Sequence, residues 1–231
     1  MISNFPPLLE IDKKIKNIKS KSFVEKKCYI LRNITIETIE PYIKYLLIDQ
    51  KIKLRVFYGN FDNILQDSLD ENKIIKKIDP DIIIVFLWLP FFSNIYDFFT
   101  FQKSRNINSE IKRTKRYIKN TIQNIRTISS AKVIWCGVEN NNFLTINAID
   151  NNFKKKVYNL SYEINNYLEK QLNKTKNTYY LNLDKCLVNV GYNNFYDNRN
   201  LYHIKSPFSE NALKAISFEI ANIFRNIENK I

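Results

Sequence analysis

Glycine is scarce in this sequence, with 3 residues among 231, so few turns can use positive φ and asparagine must take over many of those positions. Histidine is scarcer still, and His203 stands alone. The three cysteines, Cys28, Cys136 and Cys186, are odd in number and far apart, which argues against a secreted disulfide framework and against a CxxC metal or redox site. Reduced thiols are the expectation, with Cys28 and Cys136 as small buried hydrophobes inside strands. The longest apolar run, "IIIVFLWLPFF", falls short of the roughly 20 residues of a membrane span, and "MISNFPPLLEIDKKIK" lacks the basic-then-apolar order of a signal peptide. The chain is therefore read as soluble and cytoplasmic, with no membrane span, no cofactor and no metal site.

Acidic side chains are also in deficit, 23 Asp and Glu against 36 Lys and Arg, for a net charge of +13. Clustered cations of this kind release counterions from phosphates, which raises nucleic acid as a partner. The basic residues are spread over the whole chain, however, and their densest group is "KRTKRYIKN" at 112–120. Without zinc-ligand spacing, an RNP-like aromatic strand or a glycine-rich clamp loop, the run reads as a solvated helix face and nucleic acid is not expected.

What is present is a 45% apolar chain long enough for one α/β domain with a complete core. Residues 1–25 are a polar lead-in in which "PPLLEIDKKIKNIK" can pack as a short helix, and residues 26–231 form the domain. Strands are expected at "KCYILR" (27–32), "KLRVFYG" (53–59), "DIIIVFLWL" (81–89), "KVIWCGV" (132–138) and "TYYLNL" (178–183). The third is apolar throughout, as a strand buried on both faces of a parallel sheet must be. Helices are expected at about 37–50, 108–128, 153–172 and 210–228, with a shorter turn of helix at "FDNILQDSL". Strands alternating with helices predict a three-layer α/β/α sandwich around a mostly parallel five-stranded, flavodoxin-like sheet.

Ligands of open parallel sheets bind beyond the carboxyl ends of the strands. That rule selects the expected loops Arg32–Thr35, Gly59–Asp62, Pro90–Asn94, Gly137–Asn142 and the segment Tyr192–Ser209 before the last helix. In order and spacing, "ILRNITIETIEPYIKYLL", "FYGNFDNILQDSLDE", "DPDIIIVFLWL" and "NLDKCLVNVGYNNFYDNRNLYHIKSPFSENALKAISFEIA" resemble the N-terminal SGNH-hydrolase-like domain of FkbH-like proteins, from about residue 27 to 226. In that family the domain usually precedes a phosphatase-like domain of the haloacid dehalogenase superfamily, of which this sequence contains none. The resemblance implies work on a small acyl or ester group, as acyl or glyceryl transfer or ester hydrolysis, in a bacterial biosynthetic pathway such as secondary-metabolite or surface-glycan assembly. It also implies an acyl carrier protein or a separate phosphatase-like protein as partner. The alternative is a non-catalytic module that docks an acidic carrier or partner enzyme through a degenerate cleft.

An SGNH hydrolase uses a serine at the end of the first strand, a histidine before the last helix and an acid three residues ahead of it. Here His203 has the expected place of the base, but Asn200 stands where the acid belongs, and Asp197 is the nearest acid upstream. The serine position reads Arg32 and Asn33, and a guanidinium is protonated at any working pH. Arg32 either binds an anionic group at the strand end or pairs with Asp62 or Asp197 to fix the loops. Thr35 is either a substitute hydroxyl nucleophile or, more in keeping with its place before a helix, an N-cap. Gly59 and Asn94 are the candidates for oxyanion donors, Asp62 and Gln66 for lining the cleft, and Arg199 for the substrate side or an ion pair with Asp197.

Overall fold

β-Branched and aromatic runs put the strands where the apolar sequence is densest. In the computed structural model, which describes residues 5–18, 22–93, 96, 107–139 and 151–228, they form one five-stranded sheet. The strands are β1 (Val24–Arg32), β2 (Ile52–Tyr58), β3 (Ile82–Phe86), β4 (Lys132–Cys136) and β5 (Thr178–Leu181). Every neighbouring pair is parallel and the order is β2-β1-β3-β4-β5, so the sheet reverses direction of growth at β1 and β3. A crevice at that reversal is where such sheets hold ligands.

Alternation along each strand divides the core into two layers. Cys28, Ile30, Ile82, Ile84 and Ile134 face α1 (Leu8–Lys16), α2 (Glu40–Ile48), α8 (Leu183–Val190) and α11 (Glu210–Glu228). Tyr29, Leu31, Ile83, Val85, Val133 and Trp135 face α3 (Ile64–Leu69), α4 (Ile74–Ile78), α6 (Ile107–Ile128) and α7 (Asn151–Asn173). The buried stripe of α6 is Ile111, Ile118, Ile122 and Ile125, as its spacing predicts. Ser209 caps α11 by accepting from the Ala212 N–H at 3.2 Å. Among the described residues no helix is long and apolar enough to cross a membrane.

Three expectations are corrected. β3 ends at Phe86, not at residue 89, because the Asn33 side chain takes both backbone groups of Trp88 and the chain turns into α5 (Leu89–Phe92). Thr35 does not cap a helix: a 3-10 turn (Glu37–Ile39) leads into α2, and the Ile36 N–H is accepted by the Glu37 carboxylate at 2.9 Å. Residues 192–209, expected as a loop, contain α9 (Tyr192–Phe195) and α10 (Asn198–Ile204). The reason is Asp197, whose carboxylate accepts the Asn200 N–H at 2.9 Å and so starts α10.

Candidate functional site

The exits of β1 and β2 and the end of α10 meet at one rim. The Asp62 N–H donates to the Arg32 carbonyl at 3.1 Å, and the Thr35 N–H donates to the Lys205 carbonyl at 3.0 Å. The Lys205 ammonium lies 5.2 Å from the ring centre of Phe61. His203 is on the last turn of α10, two residues before that junction, and is exposed. Chain geometry thus brings Arg32 and His203 to the same edge of the sheet.

Arg32 is 8% exposed and its guanidinium is engaged on three nitrogens. Nε donates to Glu37 Oε1 at 3.2 Å, Nη2 donates to the same oxygen, and Nη1 donates to the Gly59 carbonyl. The group stacks over Tyr58, 5.0 Å from the ring centre. Its carboxylate partner is therefore Glu37, not Asp62 or Asp197. Burial would raise the Glu37 carboxyl, but the bond from Arg32, backbone hydrogen bonds and the guanidinium charge outweigh it and hold the group below its ordinary value.

The other predicted residues do not assemble into a triad. Both carboxylate oxygens of Asp197 are bonded to Asn200, to its N–H and its side-chain amide at 2.9 Å each, so Asp197 caps α10 instead of orienting His203. Among the described residues no hydroxyl is hydrogen-bonded to His203, and no ion pair joins Arg199 to Asp197. Arg199, Asp62 and Gln66 are exposed, and Thr35 is partly buried. The Gly59 N–H donates to the Ile30 carbonyl at 2.9 Å and so is taken by the sheet; an oxyanion would need another donor. Asn94 lies outside the described residues.

At three residues of the rim the structure adds a role that the sequence does not show. Asn33 was named with Arg32, but its role as a clip between β1 and Trp88 depends on strand adjacency. Glu37 reads in the sequence as the first residue of a helix, although it stands five positions after an arginine. Glu139, the first charged residue after "VIWCGV", is 3% exposed and accepts the Trp88 Nε1–H at 2.6 Å. Burial pushes its carboxyl up to about 7, with Asp184 adding to the rise and the hydrogen bonds from Trp88 and Tyr196 opposing it. A charged residue ending an apolar strand was the signal available for it.

Glu139 lines a cavity of about 10 Å³ with Ile34, Phe86, Trp88, Cys136 and Phe208, at the carboxyl ends of β1, β3 and β4. A larger cavity, about 280 Å³, lies at the opposite edge beside Lys26, Asp81 and Lys132. The smaller one is at the strand ends where parallel sheets bind ligands, and it holds the perturbed acid; we take it as the floor of the site. Cys28, Cys136 and Cys186 are free and buried, and burial raises all three thiols. A thiolate nucleophile is thereby disfavoured.

No protein-family model matches the chain, and comparison with curated proteins finds no match. Among solved structures, the N-terminal part of BF1531 from Bacteroides fragilis, which contains a phosphatase domain complexed with Mg, is similar with a TM-score of 0.77 and 16% identity. The match covers 98% of this chain but only 58% of that one. A psychrotrophic esterase from Pseudoalteromonas has a TM-score of 0.55 at 9% identity, over 88% of this chain and 99% of its own. A lipase/acylhydrolase from Enterococcus faecalis has a TM-score of 0.54 at 15% identity, over 87% and 96%. At such identities the likeness concerns architecture. The chain has a three-layer α/β/α, SGNH-hydrolase-like fold, with Arg32 at the exit of its first strand.

Proposed function

We propose that this domain handles a small acyl or ester-bearing group at the carboxyl rim of its sheet, in acyl or glyceryl transfer or ester hydrolysis, without a serine nucleophile on β1. The observation that carries the reading is the junction of Thr35 with Lys205, which sets the helix of the only histidine against the exit of β1. The fold is shared with an esterase and an acylhydrolase, which supports ester chemistry as the class. The FkbH-like resemblance supports a place in a bacterial biosynthetic pathway, with an acyl carrier protein as partner. The phosphatase domain in the longer Bacteroides chain supports a phosphatase-like partner. The test is a screen of ester and thioester substrates with wild type and His203→Ala. Turnover that survives the substitution unchanged would remove His203 from the reading.

A second reading is a binding module that docks an acidic carrier or partner enzyme. It is favoured by the locked state of the triad positions: Arg32 is held by Glu37, and Asp197 by Asn200. Long-range attraction between a +13 chain and an acidic protein is screened by salt. Capture of an acyl carrier protein that is equally strong at low and moderate salt would oppose it.

A further inference from the structure

Arg32 cannot supply a nucleophile, burial disfavours the thiolates, and among the described residues no hydroxyl, that of Thr35 included, is hydrogen-bonded to His203, so an ester bound at this rim needs another attacking group. Glu139 has the geometry to provide one. Its carboxyl is 3% exposed, faces a cavity of about 10 Å³ that opens on the rim, and is fixed by the Trp88 Nε1–H at 2.6 Å and by the Tyr196 hydroxyl. Among the described residues, Asp184 of α8 and Tyr192 of α9 are titratable groups that act on it, and the Cys136 thiol lines the same cavity. The cavity is near the lower limit for one water molecule, which takes on the order of 10–15 Å³. A group that titrates near neutrality moves a proton in either direction at low cost, and burial brings Glu139 to about 7.

We propose that Glu139 is a proton-transfer group of this cleft, in addition to His203, and that the nucleophile is a water held against Glu139. The inference rests on the ester-handling reading above. The Glu139 carboxylate takes a proton from the water as the water oxygen bonds to the ester carbonyl carbon. Collapse of the tetrahedral intermediate breaks the bond to the leaving oxygen, which receives the proton back from Glu139. The products are a carboxylic acid and an alcohol, and no acyl-enzyme forms.

The experiment uses p-nitrophenyl acetate and acetyl-pantetheine as probes. Wild type is expected to show a kcat that rises with pH through an inflection near 7 and resists a serine-directed phosphonate. Glu139→Gln retains an oxygen for the Trp88 N–H and is expected to lower kcat about 10²- to 10⁴-fold, the usual size of a lost general base. Trp88→Phe removes a bond that favours the ionised carboxyl, so the inflection should move to higher pH; this variant decides the matter should Glu139→Gln not fold. Full kcat with an unchanged pH profile in Glu139→Gln, or an unmoved inflection in Trp88→Phe, overturns the role of Glu139 while ester handling stands. Absence of wild-type turnover on both probes overturns both.

Discussion

The Asn33 side-chain amide closes on both backbone groups of Trp88, donating to its carbonyl at 2.9 Å and accepting from its N–H at 2.7 Å. Asn33 is 2% exposed, so neither Trp88 group has water as a substitute partner. Asn33→Ala should therefore cost about 1–3 kcal/mol, because the Trp88 N–H is left unpaired while the carbonyl keeps only the Phe91 N–H at 3.3 Å. In urea the midpoint should fall with an unchanged slope. A loss below about 0.5 kcal/mol, the range of ordinary surface substitutions, would mean that the clip does not hold the two strand exits together.

Arg32 and Glu37 differ in burial, their side chains being 9% and 41% exposed. Truncating Arg32 should cost more than truncating Glu37, because Arg32 also loses the Gly59 carbonyl and the Tyr58 ring. Solvent at Glu37 limits the coupling itself to about 1 kcal/mol in a double-mutant cycle. Since the Glu37 carboxyl is held below its ordinary 4.5, its contribution is fully present above that pH and is lost as pH falls through the lower folded value. Acid titration of stability should flatten in Glu37→Gln, and an unchanged acid limb would contradict the assignment.

Gly59 leaves no room for a side chain. A Cβ there would lie 2.5 Å from Asp67 Oδ2 and 3.1 Å from Leu31 Cδ2. Asp67 cannot swing away freely, since its two oxygens hold the Asn60 N–H at 2.6 Å and the Asn60 side chain at 3.0 Å. Gly59→Ala should destabilise by about 1–3 kcal/mol, the cost of overpacking. Thermal unfolding measures this, and a variant as stable as wild type would show that the loop after β2 yields.

Glu139 should leave a mark on stability at higher pH than Glu37. Its folded value of about 7 exceeds the ordinary 4.5, so between these limits the native state binds more protons than the unfolded state. Stability should then fall as pH rises from 4.5 to 7, by about 3 kcal/mol if the whole shift is expressed. In Glu139→Gln that slope should vanish. A wild-type profile flat across this window would show that the carboxyl is ionised in the folded protein.

How far the sequence spoke depended on whether a signal was local. The apolar run Ile82–Phe86 and the isoleucine stripe of α6 report burial residue by residue, so the sheet, its layers and the long helices could be read directly. The short helices around His203 could not, because α10 is started by one carboxylate in a polar stretch without hydrophobic period.

The site divides along the same line. Sequence alone determined that a cation stands where the first strand exits and that a single imidazole precedes the last helix. Only the tertiary structure decided that Arg32 answers to Glu37, that Asn33 grips Trp88 across 55 residues of chain, and that Glu139 is buried against an indole. Burial and hydrogen-bond partners are set by which strands become neighbours, and strand order is a long-range outcome that no stretch of a few residues encodes.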